Sequence, residues 1–405
     1  MADVLVVGAG PTGLALAADL AQSGVSARVI DKASAPSDKS KALGVQAGTL
    51  EVLGRVFGQK LPDAMVAAGQ PAREAFIHVD DLAPIRADLS TIPSRFDFIL
   101  ILPQSETERI LGERLSSHGG AVERNRELIG LRETGSGFVA TIQRAGASPE
   151  EAPFKFVVGC DGAQSATRRL LDIPFAGAAY TGEFLLADAT LRWPWSYGCA
   201  RPFINSEGIM AFFPFKDERH YRVIVVKGMK PSPIEEVALP ELQECVRRLS
   251  DGAIQIESAS WLTRFHVHHR MAGRFRKGNG FLAGDAAHIH SPAGGQGMNT
   301  GIQDALNLGA KLAAVLRGAP PASLDDYEKE RMPVARSVLR GTDLAFKLAL
   351  LPENALIRFG RRYLFPRLLR SPFLQRRVIR AISEVDVARK ESARRDAAAK
   401  TPASS

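Results

Sequence analysis

Cysteine is scarce in this chain. Cys160, Cys199 and Cys245 are odd in number, widely separated and outside any C-x-x-C spacing, which argues against both a disulfide framework and a zinc site. A run of about 18 uninterrupted apolar residues is also missing, so no segment is expected to span a bilayer. The first strand, Asp3-Val4-Leu5-Val6-Val7, starts too early to leave room for a cleavable leader, and the chain is read as cytoplasmic. Internal repeats are lacking, and the one low-complexity stretch is the tail "ESARRDAAAKTPASS" from Glu391 onward, which is expected to be disordered.

Unbalanced charge is scarce too, outside one region. The formal net charge is +8, yet Arg358 to Lys400 alone holds thirteen Lys or Arg against four Asp or Glu, so the rest is close to neutral. A nucleic-acid-binding body would need basic residues spread along its surface, and none are expected to serve that purpose here. The 405 residues, with 45% hydrophobic and 24% charged, are enough for a sizeable core and two closely associated domains.

Glycine is plentiful, and its placement is informative. After the first strand come Gly8-Ala9-Gly10-Pro11-Thr12-Gly13, a helical run to Ser23, and a second strand from Ala27 to Ile30 ending at Asp31. In such a βαβ unit Gly8 permits the tight turn, Gly10 lets a pyrophosphate approach the backbone, and Gly13 lets helix and strand pack closely. The helix N-terminus offers N–H groups to phosphate, and Asp31 is placed to accept ribose hydroxyls. The ligand is a dinucleotide with a free adenosine ribose, either FAD or NAD.

Two further stretches follow apolar strands. "CDGAQSATR" (160–168) succeeds Phe154 to Gly159, and "GDAAHIHSPAGGQGMN" (284–299) succeeds Gly280 to Ala283. In the latter, His288 and His290 are two apart with no other ligand at matching spacing, so no metal is expected; His288 is expected to satisfy backbone groups. Pro292 and Gly294 to Gly297 form a chain of little bulk that can lie along a flat ring, with a helix expected from about Met298.

The three glycine-rich stretches together resemble the fingerprints of the para-hydroxybenzoate hydroxylase-like flavoprotein monooxygenases. The middle one fits C-D-G-x-x-S-x-x-R at every fixed position, and the third fits G-D-A-A-H-x-x-x-P. Leu102-Pro103-Gln104 and "LDDYEKER" (324–331) extend the likeness over most of residues 1–345. The resemblance implies an α/β fold: a Rossmann-type FAD-binding domain with an inserted α+β substrate domain built on an antiparallel sheet, and a C-terminal helical segment. The expected FAD-binding parts are 1–70, 102–175 and 278–345, the substrate-binding parts 71–101 and 176–277, and the basic helical segment and tail 346–405. "EGIMAFFPF" (207–215) and "RHYRVIVVKG" (219–228) read as strands of the inserted sheet. No thioredoxin-like C-terminal domain is expected.

The cofactor contacts that the resemblance implies fall on Gly8, Gly10, Pro11, Thr12, Gly13, Asp31, Lys32, Lys41, Gln104, Asp161, Gly162, Arg168, Gly284, Asp285, Pro292, Gly295, Gly297, Met298 and Asn299. Asp285 is expected at the ribityl chain. The chain departs from the family where Lys41 and Gly48 stand in place of arginine, and Gly48 can make none of an arginine's contacts. The implied chemistry is reduction of non-covalent FAD by NADPH or NADH bound transiently, formation of a flavin C4a-hydroperoxide with O2, and hydroxylation of a small hydrophobic aromatic or polyketide-like substrate. Alternatives on the same fold are an oxidoreductase, an epoxidase or Baeyer–Villiger oxygenase, or a non-catalytic FAD protein. A halogenase would carry W-x-W-x-I-P early in the chain, whereas Trp193-Pro194-Trp195 lies far from there. Candidate catalytic residues are His220, Tyr221 and Arg222 on a roof strand, with His266, His268 and His269 near the return to the FAD domain. The basic C-terminal helices are expected either to pack on the body or to touch an acidic membrane surface, in a monomer or homodimer.

Overall fold

The computed structural model describes residues 2–37, 42–179, 182–206, 208–227, 237–265, 267–291, 294–349 and 358–400. Lys41, Pro292 and His266 lie outside the described residues. A six-stranded sheet forms the centre of the first layer, in the order Arg276–Lys277, Gly280–Leu282, Phe156–Gly159, Val4–Val7, Ala27–Asp31 and Val122–Arg124. All neighbours are parallel except the short edge strand Arg276–Lys277. The central strands are buried along their whole length, which is why they read as unbroken apolar runs instead of alternating ones. Helices Pro11–Gln22, Gln104–Ser116 and Gly297–Leu316 pack together against this sheet.

Glycine makes the joint between strand and helix close. A Cβ at Gly13 would lie 1.9 Å from the carbonyl oxygen of Gly8, and Gly8 itself sits at φ +101° against the Cys160 carbonyl.

The second layer is a seven-stranded sheet, ordered Gln255–Phe265, Glu183–Arg192, His220–Lys227, Gly208–Pro214, Arg201–Asn205, Glu74–Val79 and Ile85–Asp88. Pairing is antiparallel except between Arg201–Asn205 and Glu74–Val79. Side chains alternate between its faces. On the outer face Leu185, Ala187, Met210, Phe212, Tyr221, Val223 and Val225 form a core with Leu242, Val246 and Leu249 of helix Leu239–Leu249. On the inner face Phe213 packs, with Phe215 just beyond the strand, against Leu43, Ala72, Ile99 and Ile101 of the first layer.

The tail differs from expectation. Residues Val385–Lys400 form a helix packed on helices Ala47–Phe57 and Gly297–Leu316. Its polar residues have specific buried partners: Glu391 meets Arg331 and Asn307, and Arg395 meets the fully buried Asp19. A composition that suggests disorder on its own is ordered here by these pairs.

Candidate FAD and substrate site

The three glycine-rich stretches leave the carboxyl ends of three adjacent parallel strands, Val4–Val7, Phe156–Gly159 and Gly280–Leu282. That is where open α/β sheets bind ligands. The stretches also touch each other. Thr12 of the first fills the space that both Gly284 and Gly301 leave, since a Cβ on either would lie 2.5 Å from its Oγ1. Cys160 of the second abuts Gly8 and Gly13. Arg168 is buried and donates to the carbonyls of Ala286 and Ala163, each at 2.8 Å, so its guanidinium ties the second stretch to the third.

Around the first stretch, Gly10 opens helix Pro11–Gln22 without any side-chain cap, and the nearest atom to a Cβ there is Glu108 Oε1 at 4.0 Å. This open cradle, next to uncapped helix N–H groups, fits a pyrophosphate. Asp31 accepts from the Ala9 N–H at 2.7 Å and the Ala33 N–H at 2.8 Å, so it holds the loop in shape while presenting a carboxylate at the end of the second strand. Lys32 beside it is exposed. Gln104 donates to Glu108 at 2.8 Å. Burial pushes the Glu108 carboxyl above its ordinary range despite Gln104 and Arg124.

In the second stretch Asp161 caps the helix Ala166–Leu170 by accepting from the Thr167 N–H and hydroxyl, at 3.0 and 3.1 Å. Its other oxygen is buried and has no hydrogen-bond partner among the described residues, and Gly162 beside it, at φ +77°, leaves open space where a Cβ would stand. An acceptor left over next to an open backbone fits a hydroxyl-bearing ligand.

The third stretch is pinned by its own polar residues. Asn299 is buried, accepts from the Gln46 N–H at 2.8 Å and donates to Gly44 and Gly295 carbonyls, both at 2.8 Å. Gln46 donates to the Gly294 carbonyl at 2.9 Å. Gly294 and Gly295 have φ of +83° and +62°, a turn that side chains disfavour. Helix Gly297–Leu316 starts there with no side-chain cap, Met298 half-buried in its first turn. Asp285 is exposed on the strand side of the same loop.

His288 has a different partner from the one expected. Its Nε2 lies 2.7 Å from Asp304 Oδ2, a buried carboxylate that also accepts from Arg331 Nε at 2.6 Å. Burial alone would raise Asp304, but Arg331 and His288 overcome it and hold the carboxyl below its usual value. Sequence spacing hides this pair because the partner is sixteen residues away on the next helix. His290 stacks over His288, donates from Nδ1 to the Ser291 carbonyl, and is driven by burial to a pKa of about 4, so it is neutral beside Gly297. Tyr327 and Arg331 of "LDDYEKER" brace this layer, Tyr327 donating to the Leu282 carbonyl at 2.7 Å.

Of the three strand candidates, only Arg222 is buried on the inner face of the sheet, the face from which Phe213 packs against Leu43 and Ile101. His220 is exposed at a strand end and paired with Asp217 at 2.8 Å, and Tyr221 points to the outer face, stacked on Trp193. Alternation along the strand sends Arg222 to the inner face. There it is 1% exposed, donates to both oxygens of Asp188 at 2.7 and 2.8 Å, and lies over the rings of Phe215 and Trp261. His268 and His269 sit half-buried on the strand His268–Ala272, which pairs with His288–Ile289. Gln46, Glu108, Asp304 and Asp188 were not singled out from the sequence. Asp304 had a signal, being the sole acid in a helix rich in small and aliphatic residues.

A family described as an FAD binding domain matches residues 1–342. The chain belongs to the para-hydroxybenzoate hydroxylase-like flavoprotein monooxygenases. It is 34% identical over 388 residues to an uncharacterized aromatic compound monooxygenase, YhjG, of Bacillus subtilis (strain 168), covering 95% of this chain and 76% of the relative. It is 37% identical over 351 residues to 6-methylpretetramide 4-monooxygenase of Streptomyces rimosus, covering 86% and 62%. The solved anhydrotetracycline hydroxylase OxyS of Streptomyces rimosus superposes with a TM-score of 0.78 at 33% identity, over 95% of this chain and 76% of that one. The chain thus spans between 62% and 76% of these relatives' lengths. It is an FAD-dependent monooxygenase of aromatic substrates that draws its electrons from NAD(P)H. No described helix is long and apolar enough to cross a membrane.

Proposed function

We propose that one FAD lies across the three glycine-rich stretches and that the substrate is a large, electron-rich phenol, of the polyketide kind that the tetracycline-pathway relatives are named for, held under the inner face of the seven-stranded sheet. The observation that carries this reading is that the three stretches follow three neighbouring parallel strands, while the Gly294–Gly297 loop is tied through Gln46 and Asn299 to the Leu43–Gln46 segment, whose Leu43 packs against Phe213 and Phe215 on the sheet face that also carries the Arg222–Asp188 pair and Trp261. Residues 1–70, 102–175 and 278–345 would form the FAD-binding part, and 71–101 with 176–277 the substrate-binding part.

Bound FAD, reduced by NAD(P)H, supplies activated oxygen. The chain's own residues do the rest. Gly8 to Gly13, Asp31 and Gln104 would take the adenosine and pyrophosphate end, with Asp161, Gly162 and Asp285 along the ribityl side. Gly295, Gly297, Met298 and Asn299 would form the rim of the ring, and the amino end of helix Gly297–Leu316 favours the negative charge that accumulates on reduction. The aromatic wall excludes water and orients the phenol, while Asp188 accepts its hydrogen bond and Arg222 holds that carboxylate in place.

The test is consumption of NADPH and of NADH by the FAD-loaded protein across a panel of simple phenols and polycyclic phenols. Faster oxidation with product formation from polycyclic phenols supports the reading. Product from simple phenols alone would replace it with a smaller substrate class.

A further inference from the structure

The segment from Arg358 to Ile382 holds eight arginines and no acidic residue. It docks on the seven-stranded sheet through its inner side: Arg361 pairs with Asp80 at 2.8 Å, Arg362 with Asp81 at 2.8 Å, Gln375 donates to the Arg86 carbonyl, and Pro366 and Ile379 are buried. Its outer side is the unusual part. Eight large hydrophobic side chains are exposed among the described residues, and six of them, Phe359, Tyr363, Leu364, Leu368, Phe373 and Val378, fall in this one segment. Scattered exposed side chains need no explanation, but a cluster does. Phe373 is 75% exposed and Phe359 is 60% exposed, the latter against the Tyr363 ring at 4.9 Å.

Four arginines stand among these side chains, Arg367, Arg370, Arg376 and Arg377. All are exposed, and none makes an ion pair with a described residue; Arg367 and Arg370 donate to backbone carbonyls instead. From this surface we infer that the segment rests on a membrane bearing anionic lipid, with the aromatic and aliphatic tips in the interface and the arginines at the headgroups. A second copy of the chain would bring the same four cations face to face without acids between them, which like-charge repulsion disfavours. A folded acidic partner would need to offer pockets to side chains that protrude singly, whereas a bilayer interface accepts such tips anywhere. The location suits an enzyme whose substrate is apolar, yet the inference rests on this surface and not on the oxygenase reading.

The FAD-loaded full chain is sedimented with vesicles of phosphatidylcholine alone and of phosphatidylcholine mixed with phosphatidylglycerol, at low and high salt. Binding to the mixed vesicles at low salt, lost at high salt, is the expected result. Replacing Arg376→Gln and Arg377→Gln should weaken it about fivefold per arginine, and Phe373→Ser should weaken it without altering the melting temperature or flavin content. Turnover is not measured, so failure here leaves the proposed function intact. The inference is overturned by no binding to mixed vesicles at low salt, by binding indifferent to the arginine variants, or by a concentration-dependent dimer in sedimentation velocity that Phe373→Ser abolishes. A stable complex with an acidic protein and none with vesicles would likewise overturn it.

Discussion

The backbone of Glu384 lies directly on Gly48: a Cβ at Gly48 would come within 2.4 Å of the Glu384 carbonyl oxygen, and the Gly48 N–H donates to the Ser383 carbonyl at 2.8 Å. Glu384 takes a φ of +56°, and its carboxyl reaches Gln303 at 2.6 Å and Thr300 at 3.3 Å on the helix behind the Gly294–Gly297 loop. The loss of an arginine at position 48, relative to the family, therefore coincides with a seat for the C-terminal helix. Gly48→Ala should force the two backbones apart and destabilise the protein by about 1–3 kcal/mol. Denaturant unfolding, with proteolysis of the Val385–Lys400 helix as a second readout, measures this; unchanged stability would mean that the seat is unimportant.

Glu384 also predicts a pH dependence. Burial, opposed only in part by Arg331, Thr300 and Gln303, raises its pKa from 4.5 to about 8. The folded state thus binds the proton more tightly than the unfolded state. Its contribution is full below about 4.5, declines as pH rises toward 8 and is absent above, a loss on the order of 5 kcal/mol. Glu384→Gln should flatten the stability profile between those limits. A variant that keeps the wild-type slope would assign the dependence to another group.

Two glycines of the first stretch should respond differently to the same change. Gly10 is at an extended φ of −77° with open space where its side chain would stand, so Gly10→Val should leave the melting curve near normal yet abolish flavin binding. Gly13→Val, whose Cβ would strike the Gly8 carbonyl, should fail to fold or melt far lower. Flavin absorbance and thermal melting separate the two, and full flavin content in Gly10→Val would move the pyrophosphate elsewhere.

Much of this site could be read from the residues in order. The Gly8–Gly13, Cys160–Arg168 and Gly284–Asn299 stretches carry local signals, a turn glycine after an apolar strand and before a helix, and their meeting follows from parallel strand order. What could not be read depends on contacts between distant parts of the chain. Gln46 with Asn299, Glu384 with Gln303 and Asp304 with Arg331 are joined only by folding. The choice among His220, Tyr221 and Arg222 needed the face of the sheet: one residue of register sends a side chain to the opposite side. The Glu391–Lys400 stretch looked disordered because composition does not show that Arg395 will find a buried Asp19.

The inner-face pair should control substrate more than cofactor. Asp188→Asn keeps the shape but loses the charge that Arg222 requires, and is expected to raise KM for a phenol or lower hydroxylation at least tenfold, on the order of the 1.4 kcal/mol that a weakened hydrogen bond represents. Flavin content should be unchanged. Steady-state kinetics with flavin quantified per chain will tell; normal kinetics would place the substrate away from this wall.

The most direct measurement of the whole account is turnover of a polycyclic phenol by the FAD-loaded protein with NAD(P)H under heavy-isotope dioxygen. The account predicts a product that is heavier by one oxygen atom taken from the gas, formed only when the phenol, FAD, NAD(P)H and O2 are all present. Label arriving from water, or O2 consumed to hydrogen peroxide with no oxygenated product from any phenol tested, would contradict it.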